Sequence, residues 1–193
     1  MLLRPLGVFG SGSRSDRAWP ATTRMAHWPV ASHIHAAAPV RAGVRLAVDV
    51  GSVRVGVARS DPGGVLASPL TVLRSGAGAK DELATLAAGA IEVIVGLPTS
   101  LSGREGPAAA GARSFAADLA ERLAPTPVRL VDERFTTTQA HDALRRGGKD
   151  SRARRQVVDA AAAAVLLQAA LDAERATGRP PGQLVTRTGG TPA

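Results

Sequence analysis

Cysteine and tyrosine are both absent from this 193-residue chain, and its five other aromatic side chains are Phe9, Trp19, Trp28, Phe115 and Phe135. Without thiols there is neither a disulfide framework nor a thiolate metal site, which suits a reducing compartment. Only Phe115 and Phe135 fall where the chain has regular pattern, too few for the stacked-base platform that commonly grips single strands. A nucleic-acid ligand would therefore be held mainly through its phosphates. No apolar run approaches the ~20 residues of a membrane-spanning helix, so none is expected. Histidine offers no metal cluster either: His27, His33 and His35 lie in a patternless N-terminal stretch, and His141 stands alone on a short predicted helix.

What the chain has in excess is positive charge, +8 formally, from 24 Lys and Arg against 16 Asp and Glu. Residues 1–45 contribute +5 of this, six arginines against Asp16, and the remainder contributes +3. Such a balance favours polyanionic partners without specifying one. Arg145, Arg146, Lys149, Arg152, Arg154 and Arg155 then place six cations within eleven residues. That stretch reads either as a phosphate track or as a solvated face.

Residues 1–42 mix Gly, Ser, Pro, Arg and His without a sustained period and are expected to be an extension, disordered or upstream of a true start at Met25. The Arg-rich, acid-poor composition resembles a transit peptide, but Pro5, Pro20 and Pro29 oppose the amphipathic helix that one needs. Pro180-Pro181-Gly182 marks the other limit, with 43–178 as the folded domain and 179–193 as a polar tail. Between them, Leu46–Val50, Val53–Arg59, Ala67–Leu73, Ile91–Gly96 and Val128–Glu133 read as strands. Lys80–Ala90, Pro107–Leu123, Thr137–Arg146 and Arg152–Thr177 read as helices. A hairpin-like start followed by alternating helix and strand predicts an α/β fold, a mixed sheet covered by helices.

Three carboxylates stand in costly settings. Asp49 ends the apolar run Arg45-Leu-Ala-Val-Asp49, Glu133 closes Val128-Arg-Leu-Val-Asp-Glu133, and Asp159 interrupts an alanine-rich helix. Desolvating a carboxylate is unfavourable unless a cation pairs with it, so three of them suggest one shared metal bound through oxygen. Such ligands suit Mg²⁺ or Mn²⁺ and metal-assisted phosphodiester hydrolysis. Asp159 shares a helix face with Ala162, Ala163, Leu166 and Ala170, whereas Asp172 and Glu174 are read as lying off it. Two of the acids also have a plainer reading: Asp49 as a hairpin-turn residue, Asp159 as a partner of Arg155. Strand alternation sends Asp132 and Glu133 to opposite faces, and Asp132 would satisfy a backbone amide. The loop Gly96–Pro107 offers hydroxyls, glycines and Arg104 to a phosphate, or simply connects strand to helix. Arg134 contacts phosphate or neutralises Asp132.

Four segments, VDVGSVRVGVARSD, IVGLPTSLSGREGPAA, VDERFTT and RRQVVDAAAAAVLLQAALD, resemble in order the YqgF family of pre-16S rRNA nucleases related to RuvC resolvases. The resemblance spans Val44 to Glu174 and implies an RNase H-like fold, a five-stranded sheet of three antiparallel and two parallel strands with helices on both faces. It further implies metal-binding acids at Asp49, Glu133 and Asp159, trimming of the 5′ end of pre-16S rRNA, and a cytoplasmic location. The 42-residue leader departs from the family pattern. Arg104, Arg134, Arg145, Arg146, Lys149, Arg152 and Arg155 are the expected nucleic-acid contacts. A resolvase acting on branched DNA, which needs a homodimer rather than a monomer, and a non-catalytic rRNA-binding protein are the competing functions. A sugar-kinase-like ATPase, suggested by the D-x-G hairpin, is a poor alternative, because that design needs two such domains.

Overall fold

The computed structural model describes residues 40–100, 104–133 and 152–187. The predicted helix Thr137–Arg146 and the side chains of residues 152–156 lie outside that description, as do Arg134, Arg145, Arg146 and Lys149. By its contacts the chain divides into Met1–His35 and Ala36–Ala193, and every described residue belongs to the second unit.

Alternation along the strands creates two differently furnished faces. In β1 (Arg45–Val50), Leu46 and Val48 enter one core, while Ala47 enters the other. The same split recurs in β2 (Arg54–Ser60), β4 (Glu92–Leu97) and β5 (Val128–Asp132), whose Ala58, Ile94 and Val131 join Ala47. With β3 (Ala67–Arg74) and β6 (Gln183–Leu184) the sheet order is β3-β2-β1-β4-β5-β6. β1, β2 and β3 are antiparallel neighbours, while β1–β4 and β4–β5 are parallel. The first five strands are thus the mixed sheet that the sequence implies. β3 leaves an exposed edge, blunted by Pro69 and by a register shift opposite Val57 and Ala58.

The sixth strand was not expected. Residues 183–184 fall in the segment read as a polar tail, yet they pair antiparallel with Arg129 and Leu130 of β5. The Val185 amide donates to the Val128 carbonyl at 2.9 Å, and Gly182 (φ 68°) turns the chain closely past the Leu130 carbonyl. Two exposed residues after Pro-Pro-Gly are too short to leave an alternation signal.

Helices α1 (Ala77–Leu86) and α2 (Pro107–Arg122) cover the Leu46 and Val48 face, burying Ala79, Leu83, Ala109, Ala112, Ala116 and Leu119. Helix α1 sits a few residues earlier than predicted. The chain turns at Gly89 (φ 76°), a left-handed conformation suited to glycine that cannot continue a helix. The opposite face is covered by α3 (Arg152–Thr177), whose Ala163, Leu166, Leu167, Ala170 and Leu171 pack on Ala47, Ala58, Ile94 and Val131. No described helix is long and apolar enough to cross a membrane.

An ionic cluster anchors the far end of α3. Glu174 is 2% exposed and Arg45 and Glu92 are 0% exposed. Arg45 donates through Nη2 to Glu174 and through Nε to Glu92, and Arg129 Nε lies 3.3 Å from Glu92 Oε2. That last contact is an ion pair without hydrogen-bond geometry. Glu174 therefore belongs to the sheet-facing stripe, contrary to expectation: the 3.6-residue period running through Ala163 and Ala170 leads on to it. Burial by itself would raise the Glu174 carboxyl. Hydrogen bonds from Arg41 and the charges of Arg45 and Arg41 outweigh it and hold the group below the ordinary carboxylate range.

Arg41 corrects the boundary of the leader. Although it falls inside the expected 1–42 extension, its backbone amide and Nε donate to Glu174 at 3.0 and 2.8 Å, and its Nη2 reaches Glu92 at 2.7 Å. A chain beginning at Ala36 should match the full-length protein in urea unfolding. One beginning at Gly43 should lose about 2 kcal/mol, the scale of hydrogen bonds to charged groups. Equal midpoints for the two truncations would show that the Arg41 contacts contribute nothing.

Candidate metal centre

The three candidate acids come from β1, the end of β5 and the early part of α3, and glycines bring them towards one place. Asp49 lies across from Gly56 on β2. A Cβ on Gly56 would stand 2.1 Å from the Asp159 carbonyl oxygen and 2.5 Å from its carbon. Only glycine lets the α3 backbone descend this far. Directly opposed residues in antiparallel strands are ~4.5–5.5 Å apart. Asp159 is thus seated beside the position from which Asp49 projects.

Gly96 does the same for Glu133. Val131 pairs with Gly96, and Glu133 follows two residues later on the same face. A Cβ on Gly96 would meet Glu133 Oε1 at 2.8 Å and Leu166 Cδ2 at 3.2 Å, so the carboxylate lies in the hollow that the missing side chain leaves. The parallel register that matches Val48 with Val95 puts Asp49 one step further on, beside Gly96. Neighbouring strands are ~4.8 Å apart. Asp49, Glu133 and Asp159 consequently share one face and one end of the sheet, all three partly buried.

They are not drawn into a finished coordination shell. Among the described residues, no three acidic or histidine side chains are grouped closely enough to hold a metal ion. Asp159 Oδ2 instead accepts a hydrogen bond from Arg54 Nε at 2.5 Å, the two side chains being 29% and 28% exposed. The ion-pair reading of Asp159 is therefore real in kind, with Arg54 as a partner that sequence reasoning missed. The signal was present: Arg54 precedes Gly56 by two residues and so faces the same way. The hairpin turn closes through backbone, Gly51 N donating to Arg54 O at 2.9 Å, two residues past Asp49. A Cβ on Gly51 would crowd that same carbonyl at 2.7 Å.

Asp132 points to the other face as alternation requires. Its Oδ1 accepts a hydrogen bond from the Thr99 hydroxyl at 2.5 Å. Arg104 is exposed in the loop that leaves β4, which begins at the same end of the sheet as the acids. Its amide donates to Ser100 Oγ, and the neighbouring Glu105 is forked by Arg113, which depresses the Glu105 carboxyl. Pro98, Thr99, Ser100, Arg104 and Gly106 line a depression before α2. Arg152 and Arg155 have their backbones in the opening turns of α3, ahead of Asp159.

Residues 43–173 match the family model described as RuvX: Holliday junction resolvase. A protein of Thermobifida fusca (strain YX), named "Putative pre-16S rRNA nuclease", is 58% identical over 77% of this chain and 99% of its own length. One of the same name from Nocardioides sp. (strain ATCC BAA-499 / JS614) is 54% identical over 77% of this chain and 100% of its own. Among solved structures, RuvC of Thermus thermophilus with a Holliday junction substrate is 18% identical, with a TM-score of 0.39 over 68% of this chain and 94% of that one.

The glycine seat is directly testable. Gly56→Ala should destabilise the protein by ~1–3 kcal/mol, as overpacking does, because α3 must lift off the sheet. Gly78→Ala is the control: a Cβ there meets nothing within 4 Å on helix α1, so it should be neutral or slightly stabilising. Equal urea midpoints for Gly56→Ala and wild type would show that α3 is not seated on Gly56.

Proposed function

Since the chain belongs to the RuvX family, we propose that it is a metal-dependent nuclease hydrolysing RNA phosphodiester bonds in 5′-end maturation of pre-16S rRNA in the cytoplasm. The observation that carries this reading is the convergence of Asp49, Glu133 and Asp159 on one end of one sheet face, over Gly56 and Gly96. A fold needing only a stable core has no reason to place acids from two strands and a helix there.

The donor set fits a hard divalent ion, Mg²⁺ or Mn²⁺, because carboxylate oxygens suit such ions and no thiolate is present. Glu133 already occupies the hollow that a Cβ on Gly96 would fill. When bound, the ion supplies an activated water and neutralises charge on the phosphate. Asp49 would be the fixed ligand, since β1 is hydrogen-bonded to strands on both sides. Glu133 and Asp159 would complete the site from the end of β5 and from α3. Phosphates flanking the cut would be held by Arg104, Arg134, Arg145, Arg146, Lys149, Arg152 and Arg155, with Arg155 one helical turn before Asp159 in sequence.

A resolvase acting on branched DNA is the second reading, favoured by the description of the matching family model. It demands a homodimer that cuts two strands. A binding protein without catalysis would not require all three acids.

Asp49→Asn, nearly isosteric but without the charge that holds the ion, should abolish cleavage of precursor rRNA fragments in Mg²⁺ or Mn²⁺ while leaving the thermal melt in place. Cleavage at the wild-type rate would remove Asp49 from the site, and cleavage of four-way DNA junctions in preference to RNA would favour the resolvase.

The basic stretch is tested separately. Replacing Arg145, Arg146 and Lys149 by Ala should weaken RNA binding and flatten the dependence of log K on log salt by roughly 0.7–0.9 per lost phosphate contact. An unchanged slope would identify these cations as a solvated face.

A further inference from the structure

The Arg54–Asp159 pair lies within the candidate metal centre but has no role in the chemistry set out above. We propose that Arg54 is a positioning residue that holds the Asp159 carboxylate in the metal-free protein and competes with the divalent ion for it. This inference rests on the metal-centre reading.

Geometry supports competition rather than bystander contact. Arg54 and Gly56 occupy alternate positions of β2 and face α3 together. Gly56 fixes the height of the Asp159 backbone, and Arg54 fixes the direction of its carboxylate, through the 2.5 Å bond to Oδ2. With the backbone pinned, Asp159 can exchange Arg54 for an ion only by rotating its side chain or by sharing the carboxylate. The three candidate acids are not grouped closely enough to hold a metal while Asp159 is held in this way. Both partners are less than a third exposed, so solvent screens the pair less than it would on an open surface.

The physical reason for keeping an arginine there is the cost of an empty site. Carboxylates gathered on a partly buried face repel one another and are poorly hydrated. Arg54 relieves this for Asp159 when no ion is bound, and the same charge then opposes the arrival of a divalent cation. A unit charge ~6 Å from a divalent ion changes its affinity about tenfold even at the dielectric constant of bulk water, and more when closer.

The deciding measurement is Mn²⁺ affinity of the full chain, from the free-ion signal in electron paramagnetic resonance, without substrate or turnover. R54Q should bind Mn²⁺ about tenfold more tightly than wild type, a lower bound from Coulomb's law. R54K, which retains the charge, should stay close to wild type, and Asp159→Asn combined with R54Q should cancel the gain. R54M keeps part of the apolar stem without the charge and serves the same purpose if R54Q does not fold. Equal or weaker affinity in the charge-removing variants overturns the proposal; weaker binding would mean that Arg54 presents Asp159 to the ion instead of withholding it. Binding in wild type that is lost in Asp49→Asn but unaffected by R54Q would sink this inference alone. Absence of Mn²⁺ binding in wild type and R54Q alike would remove the metal centre and this inference with it.

Discussion

The close seating of α3 on the sheet at Gly56 is the constraint on which the rest of this molecule depends. A covering helix is ordinarily held off a sheet by the strands' side chains, but here the Asp159 carbonyl occupies the place where a Gly56 side chain would stand. Beyond that contact the helix mixes alanine with leucine (Ala163, Ala164, Leu166, Leu167, Ala170 and Leu171), and Ala47 and Ala58 answer it from the strands. Small residues on both sides exchange hydrophobic area for proximity. Dispersion falls steeply with separation, so such an interface tolerates little added volume. Because α3 runs as one helix from Arg152 to Thr177, this one seat bears on the height of everything the helix carries.

It carries a carboxylate near each end. Asp159 and Glu174 are fifteen residues apart, ~22 Å along the axis at 1.5 Å per residue. Both face the sheet, and the sheet answers them in opposite ways. Under Glu174, Arg41 and Arg45 supply converging donors, and Glu92 is tied into the same cluster. That end is closed by protein charges and acts as an anchor. Under Asp159 the strands bring further acids, Asp49 and Glu133, beside two glycines, with Arg54 against Asp159 itself. The two ends of the helix thus differ in kind: at Glu174 arginines converge on an acid, and at Asp159 the neighbouring strands contribute acids as well as Arg54.

Much of this was legible in the sequence because the relevant signals are local. Alternation located the five long strands, and helical periodicity placed Asp159 with Ala163, Leu166 and Ala170. What escaped was long-range or short-lived in pattern. Arg41 sits in a stretch without periodicity, and its partner Glu174 is 133 residues away. Glu174 continues the buried stripe, but a charge near a helix end ordinarily belongs to solvent, and only Arg45 and Arg41 reverse that expectation. β6 is two residues long. Arg54 has no partner legible within the hairpin motif, since nothing local shows that the strand beside Asp49 lies beneath Asp159.

The three acids differ in how firmly their backbones are held, and this bears on how an ion could gather them. Asp49 stands on β1, fixed by β2 on one side and β4 on the other, so its Cα cannot approach the others without breaking ladder hydrogen bonds. Asp159 is pinned by Gly56 and by the buried helix behind it. Glu133 follows the last residue of β5 and has the longest side chain of the three. In the metal centre proposed above, closing would be side-chain rotation over this frame, at a cost of order 0.5–1.5 kcal/mol for a strained rotamer. That is small beside the electrostatic attraction of a divalent cation for carboxylates in a partly dehydrated cleft. In the proposed metal-bound state the acids would turn over this frame, with the close contacts at Gly56 and Gly96 fixing the backbone positions from which they turn.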